Sequence, residues 1–213
     1  MLTLAFMAQI LCDFDGTITN QDSIIFLTEQ FGAGPEFRHG MRQAIKEGRL
    51  SVYKAVRQEL ATVRISWEEA VKALKSSIFV DPTFPDFVKW CQDNEYPLAV
   101  VSAGMEPVID LFIGHLKLPV YAQSLEIAPQ GWDYRKKEAN DKEKIISGAK
   151  ENGALVHIGD GTSDVVAIPY ADLLFAKVGS YLADYCESHH ARFISFENFN
   201  DVREAIVKGK LDS

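Results

Sequence analysis

Apolar residues recur along this chain with two different periods, and the change between them divides it. Gln9-Ile10-Leu11-Cys12 reads as a short buried strand that runs into a charged loop. Between about residues 18 and 80 the spacing is helical. Ile24, Leu27 and Phe31 predict a helix over 23–31, which Gly32-Ala33-Gly34-Pro35 breaks. A second helix over 36–47 ends at Gly48, a C′ glycine, and a third covers 52–63. Ser66-Trp67-Glu68-Glu69 has the capping-box spacing that opens a fourth. From Asp81 helices and strands alternate: helix 85–94, strand 98–101, helix 107–116, strand 120–127, a turn at Gln130-Gly131, helix 142–152, strand 155–158, strand 173–176, helix 181–188, strand 192–195 and helix 200–208.

Alternating strands and helices imply an α/β fold with a mostly parallel sheet covered on both faces. A helical block inserted after the first strand sits over the carboxyl ends of the strands, where such folds bind ligands. The expected division is a core of residues 1–17 and 81–213 and a helical cap of residues 18–80. The apolar lead-in over residues 1–8 has no basic segment, so it reads as an approach to the first strand rather than a secretory signal.

Composition narrows the partners. A net charge of -8 and a pI near 5.1 argue against a general nucleic-acid or anionic-membrane surface. An anionic substrate would need local cations. Cys12, Cys91 and Cys186 are odd in number and widely spaced, which suits free thiols in a reducing, cytoplasmic setting and neither a disulfide frame nor a zinc site.

The chemistry gathers at strand ends. Asp13-Phe14-Asp15-Gly16-Thr17 puts two carboxylates beside a glycine turn that lets them meet across a shared ligand. Burying two like charges is costly unless a cation or a transferring proton compensates. Ser102-Ala103-Gly104 follows the second strand, Lys142 opens a helix, and Gly159-Asp160-Gly161-Thr162-Ser163-Asp164 follows another buried strand. Asp13, Asp15, Ser102, Lys142, Asp160 and Asp164 would converge on one mouth. Acidic oxygens suit magnesium, and a lysine and a hydroxyl suit phosphate oxygens. His157 reads as a packed strand residue, and Arg38, His39 and Arg42 as solvent-facing.

In this order these motifs resemble those of the haloacid dehalogenase superfamily, over essentially the whole chain. The second aspartate, Asp15, is similar to its phosphatases and phosphomutases. The resemblance implies a Rossmann-like core with a cap, and a nucleophile, Asp13, that forms an aspartyl-phosphate. Asp15 would be the acid and base, and Thr17 a brace for its loop. Mg2+ would be held by Asp13, the Asp15 backbone, Asp160 and Asp164. Phosphate would be held by Ser102, Lys142, Gly16 and Ala103. The helical insertion resembles that of phosphoserine phosphatases and of the methionine-salvage enol-phosphate phosphatase. On that likeness Asp22, Arg57 and Met105, where phosphoserine phosphatases usually carry Phe, would set substrate choice, with Arg57 on a substrate carboxylate. The expected protein is a cytoplasmic monomer or homodimer hydrolysing a small phosphorylated metabolite, phosphoserine-like first and the enol phosphate second. A phosphotransferase to an alcohol and an inactive phospholigand sensor are the alternatives.

Overall fold

The computed structural model describes residues 8–128 and 130–208, so the lead-in expected over residues 1–8 lies, but for Ala8, outside the described residues. The chain forms β1 (Gln9–Cys12) and then four helices, α1 (Ser23–Phe31), α2 (Gly34–Lys46), α3 (Val52–Leu60) and α4 (Trp67–Ser77). There follow α5 (Phe84–Asp93), β2 (Leu98–Met105), α6 (Glu106–Ile113), β3 (Val120–Ala128), β4 (Gly131–Arg135) and α7 (Lys142–Glu151). β5 (Leu155–Gly159), β6 (Leu173–Lys177), α8 (Tyr181–Ser188), β7 (Ile194–Phe196) and α9 (Phe199–Val207) complete it. The strands form one seven-stranded sheet in the order β4-β3-β2-β1-β5-β6-β7. All neighbours are parallel except β3 and β4.

Strand alternation splits the apolar residues into two cores. Ile10, Cys12, Leu98, Val100, Val156, Ile158 and Phe175 pack on one face with α5, α6 and α9, where Phe84 and Phe199 meet at 4.8 Å. Leu11, Ala99, Val101, Leu155, Leu174 and Ala176 pack on the other with α7 and α8. β1 therefore lies in the middle, buried on both faces, with β2 and β5 beside it. The chain leaves β1 toward β2 and later returns to β5 on its other side. That switch point opens the crevice in which α/β sheets bind ligands.

Two segments connect α1–α4 to the sheet, and they pair. Thr19 and Val80 form an antiparallel bridge, the Asn20 amide donates to the Phe79 carbonyl (3.0 Å), and the Asp81 amide donates to the Ile18 carbonyl (2.8 Å). This neck leaves the sheet two residues after Thr17.

Several local expectations change. The segment after Gln130, read as irregular, contains β4, an antiparallel edge strand. Its four residues after Gly131 alternate: Trp132 and Tyr134 are buried, while Asp133 and Arg135 face out and pair with each other (2.8 Å). The strand is short, which hid the pattern. β2 runs on to Met105. α2 starts at Gly34 because Pro35 suits the first helical turn, where no amide donor is needed. α3 stops at Leu60, where Thr62 turns its hydroxyl onto the Glu59 carbonyl (2.6 Å). The α4 capping box forms as expected: Ser66 Oγ accepts from the Glu69 amide (3.3 Å), and Glu69 accepts from the Ser66 amide (2.9 Å).

β4 braces the helical block. Trp132 donates through Nε1 to the Ile65 carbonyl (3.0 Å) and its ring lies 6.1 Å from that of Trp67. Tyr134 packs on Tyr53 at 5.4 Å, and Tyr53 accepts from the Lys136 amide (3.1 Å). Trp132→Ala removes the largest buried side chain in this contact. It is expected to cost about 3–5 kcal/mol in urea denaturation; a loss under about 1 kcal/mol would show that the hairpin does not brace the block.

Candidate active site

The site is assembled from the loops that follow β1 and β5 and from the C-terminal part of β2. The Asp13 amide donates to the Ile158 carbonyl at 2.9 Å, which fixes the end of β1 against the end of β5. Gly16 then turns at φ 78, and its amide donates to Thr19 Oγ1 at 3.0 Å. A Cβ on Gly16 would collide with the Asp160 carboxylate, so the turn and the close approach both require glycine. At Gly104 the close approach alone requires glycine, since a Cβ would strike Asp15 Oδ2.

Asp13 and Asp15 share this loop but not their surroundings. Asp13 Oδ1 lies 3.1 Å from Lys142 Nζ, in an ion pair without hydrogen-bond alignment. Asp15 Oδ1 accepts from the Ser23 amide at 2.8 Å, and its Oδ2 is buried with no partner among the described residues. Burial, with Asp164 adding to it and Lys142 opposing, pushes the Asp13 carboxyl up to about 6. Burial and the Asp22 charge hold Asp15 well above the usual carboxylate range.

The loop after β5 supplies the counterpart. Asp160 Oδ1 accepts from Thr17 Oγ1 at 2.6 Å, so Thr17 braces Asp160 rather than Asp15. Asp164 is fully buried and uses both oxygens. Oδ1 meets Lys142 Nζ (2.8 Å) and His157 Nε2 (2.6 Å), and Oδ2 accepts from the amides of Gly161 (2.9 Å) and Asp160 (3.3 Å). Against the cost of burial, Lys142 and His157 hold the Asp164 carboxyl well below its usual range. His157 is buried, and burial pushes its imidazole below its ordinary value. A neutral ring with its proton on Nε2 fits the contact with Asp164. Lys142 stays charged because, although burial opposes it, Asp13 and Asp164 face it. Lys144 is exposed, beside Glu138.

Asp13, Asp160 and Asp164 bring one ligand atom each within 4.8 Å of one another, an arrangement able to hold a metal ion. Burial first, then Asp13 and Asp164, drives the Asp160 carboxyl well above its usual range. Crowded carboxylates of this kind, with an orphaned oxygen on Asp13, fit a hard divalent cation such as magnesium.

Ser102 is buried and accepts from the Gly104 amide (2.9 Å), so its hydroxyl proton remains free for a ligand. Tyr134 donates to the Ala103 carbonyl (2.5 Å) and so fixes the turn that carries Ser102 and Ala103. The sequence did not single out Lys177. Its ammonium donates to the carbonyls of Gly16 (3.0 Å) and Thr17 (2.9 Å), holding the Asp13 loop from below. The available signal was a lysine closing the buried run Leu173-Leu174-Phe175-Ala176.

A cavity of about 640 Å³ lies between this floor and the helices α1–α3. Asp13, Asp15, Gly16, Ser102, Ala103 and Asp160 line its floor. Asp22 lines it too while capping α1, with Oδ1 accepting from the amides of Ile24 (2.8 Å) and Ile25 (2.9 Å). Two expected specificity residues do not reach it. Arg57 points outward to Asp133 (3.4 Å) with its side chain 58% exposed, and Met105 is buried in the apolar core. Arg38 and Arg42, read as solvent-facing, line the cavity, as does Lys46. They recur every four residues on one face of α2, a spacing that carried the signal. Glu59, not anticipated, also lines it.

Fold and site together define an α/β enzyme whose aspartates meet at the carboxyl ends of two adjacent parallel strands, β1 and β5. The chain belongs to the haloacid dehalogenase-like hydrolase family, whose model matches residues 10–168. It is 32% identical to Pdp3-interacting factor 1 of Schizosaccharomyces pombe, over 93% of this chain and 94% of that protein. It is 31% identical to the polyol phosphate phosphatase PYP1 of Saccharomyces cerevisiae, over 92% of this chain and 90% of the relative. A substrate-bound phosphoserine phosphatase structure superposes with a TM-score of 0.72 at 21% identity, covering 94% of this chain and 97% of its own; that likeness concerns the fold. No helix among the described residues is long and apolar enough to cross a membrane.

Burial pushes the Glu59 carboxyl from 4.5 up to about 7, with Asp22 and Glu29 adding to the shift and Arg38 opposing it. A raised folded-state value means that the folded protein binds the proton more tightly. The charge costs nothing below about pH 4.5, and stability falls as the pH rises from there through about 7. Glu59→Gln is therefore expected to match the wild type in stability at pH 4.5 and exceed it at pH 8, by roughly 2–3 kcal/mol. Urea denaturation at the two pH values checks this; an advantage that shrinks with rising pH would reverse the assignment.

Proposed function

We propose that this hydrolase is a magnesium-dependent phosphomonoesterase that acts on a small, hydroxyl-bearing phosphorylated metabolite. The reaction class is phosphoric monoester hydrolysis. The observation that carries the mechanism is the split environment of one pair: Asp13 faces the Lys142 ammonium, whereas among the described residues no cation pairs with Asp15, whose carboxyl burial holds well above the usual carboxylate range. Pairs of carboxyls pushed apart in this way divide into a nucleophile and an acid.

Asp13 attacks phosphorus in line, the bond to the leaving oxygen breaks, and an aspartyl-phosphate forms. Asp15 passes its proton to that oxygen, which leaves as an alcohol. Asp15, now a carboxylate, takes a proton from the water that attacks phosphorus, and Asp13 and inorganic phosphate are released. The Ser102 hydroxyl, the Lys142 ammonium and the backbone around Gly16 and Ala103 hold the phosphoryl oxygens as charge builds on them. Asp13, the Asp15 backbone carbonyl and Asp160 are the groups that would hold magnesium, with Asp164, already held by Lys142, His157 and two amides, joining them directly or through water. When bound, the ion neutralises phosphate charge so that one anion can attack another.

A hydroxyl-bearing substrate is favoured over a phosphoserine-like one. Arg57, the expected carboxylate ligand, faces Asp133, and Arg38 pairs with Glu59. The relative named a polyol phosphate phosphatase supports the same choice. Arg42 and Lys46, exposed at the cavity, supply local positive charge that an acidic protein needs to attract a phosphate dianion. Three buried free cysteines support a reducing, cytoplasmic setting.

A panel of phosphate esters with added magnesium tests the reading. Turnover of polyol phosphates above phosphoserine, lost on chelation and restored by magnesium, is the expected result. Tight binding of one ester without turnover would replace the enzyme with a phospholigand sensor. Asp13→Asn is expected to lower kcat by on the order of 10⁴-fold or more with the fold intact by circular dichroism; retained activity would remove Asp13 as nucleophile.

A further inference from the structure

Glu59 stands on α3 with its side chain 4% exposed, lines the cavity, and accepts no hydrogen bond among the described residues. Its one ionic partner among the described residues is Arg38 of α2, at 3.7 Å, beyond hydrogen-bond reach. Arg38 Nε is itself buried without a partner. A buried carboxylate and a buried guanidinium nitrogen in this state are costly to the free protein, since each lacks the hydrogen bond that would replace water. Both residues line the same cavity as Asp13 and Asp15, as do the apolar Val52, Ala55 and Val56 of α3. A ligand that offers a donor to Glu59 and an acceptor to Arg38 would satisfy both groups at once. A hydroxyl offers both, and a pair of neighbouring hydroxyls fits the two sites.

We propose that Arg38 and Glu59 are the specificity-determining pair of this site, reading the hydroxyls at the end of the substrate remote from its phosphate. This inference rests on the phosphomonoesterase reading. The pair is already neutralised internally, so it favours an uncharged polyol over a leaving group that carries an isolated carboxylate. Asp22, another carboxylate at the cavity, opposes such an anion further. A purely structural salt bridge between α2 and α3 is the competing explanation, and it makes no reference to the substrate.

The test is a ratio: kcat/KM for glycerol 1-phosphate divided by kcat/KM for n-propyl phosphate, which has the same carbon skeleton without the hydroxyls. The ratio does not depend on the fraction of folded enzyme, so a partly unfolded variant still reports. Glu59→Ala and Arg38→Met are each expected to lower it by on the order of 10- to 100-fold, the loss of one charge-assisted hydrogen bond. Glu59→Gln, which keeps the shape and an accepting oxygen, is expected to stay within about 3-fold of the wild type. An unchanged ratio in Glu59→Ala and Arg38→Met would overturn the pair as a reader and leave it structural. An equal collapse in Glu59→Gln, with phosphoserine the better wild-type substrate, would point to an ammonium at Glu59 and overturn the hydroxyl assignment. Failure of the wild type to hydrolyse either ester would instead remove the phosphomonoesterase reading and this inference with it.

Discussion

The repulsion among Asp13, Asp160 and Asp164 is the constraint on which the rest of this structure depends. Three carboxylates with ligand atoms inside 4.8 Å cannot all be charged in a dry interior without cations. The protein supplies one, Lys142, and places it between Asp13 (3.1 Å) and Asp164 (2.8 Å). Asp164 takes four contacts and keeps its charge; Asp13 and Asp160 are left under-compensated. The cluster is therefore one positive charge or more short of balance, and its two open members face the cavity. A divalent cation would restore that balance, and Lys142 would then be free to face a phosphoryl oxygen.

Holding charges so close demands backbone precision, and the sheet provides it. Asp13 and Asp160 follow adjacent parallel strands in register, tied by the amide of Asp13 on the Ile158 carbonyl. Glycine stands wherever a side chain would enter the carboxylates: at 16 beside Asp160, at 104 beside Asp15 and at 159 beside Asp164. Lys177 adds a second anchor from β6, gathering the carbonyls of the Asp13 loop. Removing any of these supports would let the cluster relax by spreading, which is the movement that chemistry at a fixed phosphorus cannot tolerate.

The residues of this floor were legible in the sequence because each is a polar residue stranded directly after a short apolar run. The order of elements was legible for the same reason. Burial on both faces of β1, β2, β5 and β6 gives short, nearly continuous apolar runs that end at polar residues or glycine. β4 was missed because five residues give only two turns of alternation, and its aromatic members matched a loop as well as a strand. Lys177 was missed because its work is done on carbonyls, which leave no mark on composition. The cap was the least legible. Arg57 was singled out by motif, and the fold turned it to Asp133; Glu59, two residues on, was not. On a helix two positions differ by roughly 200° in direction, so an alignment correct to the residue still needs the helix's orientation before it can assign a face.

That difference between floor and cap follows from what each part must specify. A phosphoryl group is the same in every substrate, so the atoms that hold it are fixed by strand ends and glycine turns, and the pattern that encodes them is local. The leaving alcohol differs from one substrate to another. On the proposed reading it would meet side chains from α1, α2 and α3, the helical block that the Trp132 and Tyr134 contacts from β4 and the neck at Thr19 and Val80 support. Arg38 and Glu59 are 21 residues apart and meet only because α2 and α3 pack against each other. A change in either helix, or in the hairpin that supports them, alters what the cavity accepts and leaves the carboxylate cluster untouched. On the proposed reading specificity can therefore vary independently of the reaction, since among the described residues Arg38 and Glu59 share no hydrogen bond with Asp13, Ser102 or Lys142, and the Asp15–Ser23 contact at the start of α1 is the link between the two parts.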